Sequence, residues 1–155
     1  MSEVFERNHY VGKNIVITGT GSWATEIIKQ LLPLNSKSIT AFSRNELAVV
    51  TKKKLFKDSP NVKIEIGDIT NISDCRKYFK NADYVFCTSA LKHVSIAENN
   101  PSEAIRVNIE GSQNIIKACE ENNVKNVVLV STDKACEPVN TYGLTKAIVE
   151  KLWLH

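Results

Sequence analysis

Two residues near the end of the chain could share a proton. Tyr142 and Lys146 stand in Tyr142-Gly-Leu-Thr-Lys146. A tyrosine and a lysine four residues apart lie on one face of a helix. The ammonium can poise the phenol as an acid and base and can also hold a cofactor ribose. Y-x-x-x-K alone is a weak signal and needs context. Part of that context is Ser131-Thr132-Asp133-Lys134, a hydroxyl-bearing end to an apolar run just upstream.

The other part lies at the opposite end. Thr18-Gly19-Thr20-Gly21-Ser22-Trp23-Ala24 follows a β-branched run and opens a helical pattern. This G-x-G-x-x-A turn would let a pyrophosphate approach backbone N–H groups at a helix N-terminus. Read more plainly, it is a turn that uses glycine for positive φ. Thr20, Ser22 and Trp23 fall inside the candidate phosphate turn. The next apolar run ends in Ser43-Arg44. A dinucleotide site preferring NAD usually carries an acidic residue there, whereas Arg44 with the Ser43 hydroxyl suits the 2′-phosphate of NADP. Arg44 also reads as a solvated loop residue. Asp68 and Ile69 follow the third run and could meet an adenine; Asp68 equally fits a turn or helix cap. Thr88-Ser89-Ala90 follow the fourth run, where small side chains would let a cofactor lie close to backbone.

These residues need elements to bring them together. Apolar runs occur at Asn14–Thr18, Ser38–Phe42, Val62–Ile66, Ala82–Cys87 and Asn126–Ser131. They are continuous rather than alternating, which predicts strands covered on both faces. Helical patterns lie between them, at Ala24–Leu32, Glu46–Phe56, Ser73–Phe79, Pro101–Asn122 and Thr141–Leu154. In the fourth, Asn100, Pro101 and Glu103 fit N-cap, N1 and N3, and Ile105, Ile109, Ile116 and Cys119 recur on one face. Strict βα alternation predicts a doubly wound α/β fold with a parallel sheet, a Rossmann-type domain over 13–155 after an N-terminal arm, 1–12.

Composition narrows the function classes. The 155 residues are 43% hydrophobic and 24% charged, an ordinary globular balance. A net charge of +3 is too mild to point to nucleic acid. No stretch reaches the length of a membrane span, and the polar start is not a signal peptide. Cys75, Cys87, Cys119 and Cys136 form no C-x-x-C pair and have no His at ligand spacing, so neither metal nor disulfide is expected, and a reducing cytoplasm is. The lysines from 52 to 57 read as a polyanion patch or as a solvated helix face.

Together these segments resemble the extended short-chain dehydrogenase/reductase superfamily, and within it the inverting UDP-N-acetylglucosamine 4,6-dehydratases of surface-polysaccharide biosynthesis. The resemblance rests on Phe42-Ser43-Arg44-Asn45-Glu46-Leu47, Ala90-Leu91-Lys92-His93-Val94, Glu98-Asn99-Asn100-Pro101, Val107-Asn108-Ile109-Glu110-Gly111, Ser131-Thr132-Asp133-Lys134-Ala135 and Tyr142-Gly143-Leu144-Thr145-Lys146. It implies NADP as cofactor, with NAD the weaker candidate, and a UDP-sugar as substrate. Tyr142 would be the acid/base for hydride transfer from sugar C4, Lys146 would orient the nicotinamide ribose, and Thr132 would take the superfamily's Ser/Thr place. Asp133 and Lys134 would act in eliminating water across C5–C6. Lys92 and His93 would face cofactor or sugar, and Asn108 would support the cofactor site.

Members of this group continue past the Y-x-x-x-K helix into a smaller domain that grips the UDP-sugar. The expectation is a cofactor-binding part ending on the catalytic helix, with no substrate domain and little turnover alone. A non-catalytic NADP-binding module, a split-enzyme subunit, and an epimerase or reductase are the alternatives. Leu152, Trp153 and Leu154 would leave apolar surface uncovered, which predicts a homo-oligomer or a partner subunit.

Overall fold

The computed structural model describes residues 7–155. Most of the expected N-terminal arm, residues 1–6, lies outside them. In the rest of that segment a short 3-10 turn, Arg7–Tyr10, sets Tyr10 against Tyr84 with ring centroids 4.9 Å apart.

Five strands form one parallel sheet: β1 Asn14–Thr18, β2 Ser38–Ser43, β3 Val62–Ile66, β4 Tyr84–Cys87 and β5 Asn126–Leu129. Their order is β3-β2-β1-β4-β5. The chain winds outward from β1 in one direction and then in the other, as the alternation predicts. Thr18, the last residue of β1, pairs with Phe42 on one side and Cys87 on the other, so three strand ends stand level at the point where the winding reverses.

Along β1 the pleat sends Ile15 and Ile17 to one face and Val16 to the other. Ile15 and Ile17 join Ile39, Ile28, Leu31 and Val49 beneath α1 (Ser22–Leu31) and α2 (Glu46–Leu55). Val16 joins Phe42, Val85, Cys87, Cys75, Phe79 and Ile115 beneath α3 (Ile72–Phe79) and α6 (Gly111–Glu121). The three thiols in that second core are buried and unpaired, small apolar residues as expected; Cys136 is exposed.

Several boundaries differ from the sequence reading. β4 begins at Tyr84 rather than Ala82; Asp83, just before it, still bonds β1, donating its N–H to the Asn14 carbonyl at 2.8 Å and accepting the Asn14 N–H on its carboxylate at 2.8 Å. β5 is an edge strand with Val128 exposed, not a strand covered on both faces. One further helix, α4 (Val94–Asn99), follows β4 and precedes α5 (Pro101–Ala104), the first turn of the helix expected over 101–122. The helix expected over 101–122 is interrupted by a π-helical turn, Ile105–Glu110, which widens it by one residue. Its buried stripe is therefore Ala104, Val107, Asn108, Gly111, Ser112, Ile115, Ala118 and Cys119, while Ile105 faces solvent and Ile109 and Ile116 are half-buried. Asn100 occupies the N-cap position, but its amide donates backward to the Ile96 carbonyl instead of capping.

The last helix, α7 (Thr141–Leu154), is capped by Asn140, whose side chain accepts the Gly143 N–H at 2.8 Å. Trp153 packs against the β4-side core, so of the three apolar residues expected to be uncovered only Leu154 is strongly exposed. Among the described residues no helix is long and apolar enough to cross a membrane.

Candidate functional site

The level ends of β1, β2, β4 and β5 open on a cavity of about 600 Å³. In an open parallel sheet, the carboxyl edge at the reversal of winding is where ligands sit.

The glycine turn forms its floor. Gly19 has φ +96, and a Cβ there would stand 2.9 Å from Thr88 Oγ1, so this glycine is required by the fold. Its N–H donates to the Phe42 carbonyl at 2.7 Å, tying the turn to β2. Gly21 differs. Its φ is −74, which any residue adopts, and a Cβ there would meet nothing within 4 Å. Nothing in the fold requires a glycine at 21. α1 begins at that point with no side-chain cap, as α4 and α5 do, whereas Asn45, Asn71 and Asn140 cap α2, α3 and α7. The first N–H groups of α1 therefore have no capping side chain, and such groups suit an anion. This cradle fits the pyrophosphate of a dinucleotide.

Arg44 and Asp68 stand at the β2–β3 side of the cavity. Arg44 Nη1 lies 3.1 Å from Glu103 Oε1 and 3.9 Å from Asp68 Oδ2. Asp68 Oδ1 accepts the Thr70 N–H at 2.9 Å, so the turn role foreseen for it is realised on the cavity wall. Ile69 is buried below, against Gly111, where a Cβ would stand 2.8 Å from its side chain.

On the other side Ser89, Ala90 and Lys92 line the cavity. Asn108 is buried behind this wall rather than on it. Its Oδ1 accepts the Leu91 N–H at 2.8 Å, and its Nδ2 donates to the Leu91 carbonyl at 3.1 Å and to Thr145 Oγ1 at 2.9 Å. The π turn is what carries Asn108 to this position, where it ties the loop after β4 to α7. His93 starts α4, exposed and off the cavity wall.

Thr132, Asp133, Tyr142 and Lys146 line the remaining side. Lys146 is 4% exposed, and its Nζ donates to the Val130 carbonyl at 2.9 Å. Burial pushes its pKa down, opposed by Cys87 and Glu150. Thr132 Oγ1 donates to Asp133 Oδ1 at 3.0 Å, and Lys134 Nζ lies 3.3 Å from the same oxygen. These contacts, the Thr132 hydroxyl first, hold Asp133 below its ordinary pKa, as a carboxylate. Lys134 itself is outside the cavity wall, as is Ser22. Ser131 donates a short hydrogen bond to Glu150 on α7.

Most of the residues singled out from sequence meet in this one cavity: Gly19, Thr20, Gly21, Trp23, Ser43, Arg44, Asp68, Ile69, Ser89, Ala90, Lys92, Thr132, Asp133, Tyr142 and Lys146. Sequence reasoning gave no site role to Phe42, Asn45, Ala48, Gly67, Leu91, Val107 and Val130, which also line the cavity. Most of them adjoin strand ends and were findable by position, whereas Val107, quoted only within a resembling segment, arrives through the π turn. Among the described residues no group of His, Cys, Asp or Glu could hold a metal ion.

Known proteins share this arrangement. The profile described as "polysaccharide biosynthesis protein" matches residues 15–155. A UDP-N-acetylglucosamine 4,6-dehydratase (inverting) of Campylobacter jejuni is 43% identical over 144 residues, which is 92% of this chain and 43% of that protein. A UDP-glucose 4-epimerase of Rickettsia bellii is 38% identical over 92% of this chain and 43% of its own length. The X-ray structure of Pen from Bacillus thuringiensis superposes with a TM-score of 0.90 at 40% identity, covering 92% of this chain and 45% of that one. The chain thus spans less than half the length of these relatives. With the profile matched from β1 to the end of α7, the chain belongs to the polysaccharide biosynthesis protein family.

Proposed function

We propose that this chain is the cofactor-binding and proton-transfer part of an NADP-dependent nucleotide-sugar 4,6-dehydratase acting on a UDP-N-acetylglucosamine-type substrate. The observation that carries the reading is one cavity that unites the uncapped glycine turn, Arg44, Thr132-Asp133 and the Tyr142–Lys146 pair. Gly19, Gly21 and the start of α1 would hold the pyrophosphate, Arg44 and Ser43 the 2′-phosphate, and Lys146 the nicotinamide ribose. When bound, the nicotinamide would accept hydride from sugar C4 and return it at C6.

The chain's own residues would move the protons. Tyr142 takes the proton of the C4 hydroxyl, with Thr132 holding that oxygen. Oxidation at C4 acidifies the C5–H bond, and the Lys134 amine takes that proton. Asp133 gives a proton to the departing C6 hydroxyl, so that water leaves; Lys134 then returns its proton to C5 as hydride arrives at C6, and the proton held by Tyr142 passes through solvent to restore Asp133. That role needs Asp133 protonated, so substrate has to part it from Lys134, now 3.3 Å away.

An epimerase is the second reading, favoured by the 38% identity to a UDP-glucose 4-epimerase. One experiment separates the two. The chain is incubated with NADP and UDP-N-acetylglucosamine, and products are read by mass spectrometry. Loss of water with a 4-keto group supports dehydration; a C4 epimer of unchanged mass supports epimerisation. If neither NADPH nor NADH changes fluorescence on titration with the chain, both readings fail.

A further inference from the structure

Arg44 is not free to greet a phosphate. Its Nη1 is 3.1 Å from Oε1 of Glu103, a residue 59 positions away in sequence that reaches Arg44 from α5. Glu103 is itself doubly held by Arg106, which donates from Nε to Oε2 at 2.8 Å and from Nη2 to Oε1 at 2.9 Å. Arg106 is fixed in turn by Thr70 Oγ1 at 2.8 Å. Arg44, Arg106, Glu103 and the nearby Asp68 therefore form a cluster of zero net charge at the place where a 2′-substituent would lie.

Glu103 keeps a bidentate partner if Arg44 leaves it. Arg44 can therefore turn to an incoming phosphate without stranding the carboxylate, but it must give up a charge-assisted bond to do so. A 2′-hydroxyl makes no such demand. Building on the dinucleotide reading above, we propose that Glu103 is a specificity-determining residue: by competing for Arg44, it sets how strongly a 2′-phosphate is preferred over a 2′-hydroxyl. Arg106 is the positioning residue that moderates this competition.

The test uses the chain with 2′,5′-ADP and 5′-AMP, which differ only by the 2′-phosphate, as probes titrated by calorimetry at low salt. Glu103→Gln should tighten 2′,5′-ADP about two- to fivefold, the scale of one partly exposed ion pair, and leave 5′-AMP within about twofold. Arg106→Gln, which leaves Glu103 to Arg44 alone, should weaken 2′,5′-ADP by a similar factor. Two controls separate the contact from bulk charge. Glu120→Gln, at an exposed position away from both Arg44 and Arg106, makes the same charge change and should do little. In an Arg44→Gln background, Glu103→Gln should lose its effect, because a double-mutant cycle removes the shared contact.

Equal tightening of both probes by Glu103→Gln, or an undiminished effect in the Arg44→Gln background, overturns the proposal while leaving the dinucleotide reading intact. If the unaltered chain binds neither probe and neither NADPH nor NADH, both fall together. Should Glu103→Gln not fold, the sign of the Arg106→Gln effect decides the matter.

Discussion

Gly143 and Lys134 touch backbone to backbone: a Cβ on Gly143 would stand 2.1 Å from the Lys134 carbonyl oxygen. The first turn of α7 is thereby pressed onto the Asp133–Ala135 turn, and Tyr142 is set beside Thr132 and Asp133 in one cavity. No side-chain movement relieves such a contact, since both partners are main chain. Gly143→Ala should cost roughly 1–3 kcal/mol in urea denaturation, the usual scale for overpacking. Leu144→Ala, at an exposed position one residue on, should cost far less. Equal stability of the two variants would mean that the turn and helix are not tightly joined.

The two glycines of the first turn should separate folding from binding. Gly19→Ala meets both positive φ and the Thr88 hydroxyl, so about 1–3 kcal/mol of stability should be lost. Gly21→Ala meets neither. It should melt as the parent does, while NADPH binding falls at least about tenfold, because the methyl fills the phosphate cradle. Fluorescence titration beside thermal unfolding reads both, and a Gly21→Ala chain that binds NADPH normally would remove the cradle from the site.

The contrast between those glycines also marks what the sequence could reveal. The motif located both, and the alternation of apolar runs predicted the doubly wound parallel sheet that lifts them to the cavity, because βα alternation and right-handed crossovers leave little choice of fold class. The motif could not say which glycine serves the fold and which the ligand, since that depends on Thr88 lying beside one of them. The π turn was hidden for a similar reason. A one-residue widening leaves no periodic trace, and reading the large isoleucines at 105, 109 and 116 as the inner face overlooked the small Ala104, Gly111 and Ser112 that actually pack. Arg44 was legible as a charged residue at the end of the second strand, but its partner Glu103 was not, because nothing local joins residues so far apart in sequence.

Asn108 is the joint between the loop after β4 and α7, and its removal should show in stability before it shows in chemistry. Asn108→Ala deletes the bonds to the Leu91 N–H and carbonyl and to the Thr145 hydroxyl in a buried place. A loss of at least about 2 kcal/mol is expected, since buried groups are left unsatisfied. Thr145→Val removes only part of that network and should cost less. Hydrogen exchange at the Leu91 amide should rise in the Asn108 variant. If it stays as slow as in the parent, Asn108 does not anchor the loop.

Glu103 should also leave a mark on acid stability. The Arg106 side-chain bonds, with Arg44 adding to them, lower its pKa from the usual 4.5 to about 2. Asp68 and Glu110 are the acidic groups facing Arg106 in the same network. A carboxyl whose pKa is lowered by folding stabilises the fold above its unfolded value. That contribution is complete above about pH 4.5 and is lost as pH falls toward 2. Glu103→Gln should therefore flatten the acid limb of a stability-against-pH curve between those limits, with little change in its slope at neutral pH. The pair is part-exposed, so the effect should be modest and should shrink in high salt. Melting temperatures of the two chains across that range, at low and high salt, give the answer. Parallel acid limbs would mean that the Glu103–Arg106–Arg44 contacts contribute nothing in solution, which would also remove the basis for the competition over Arg44.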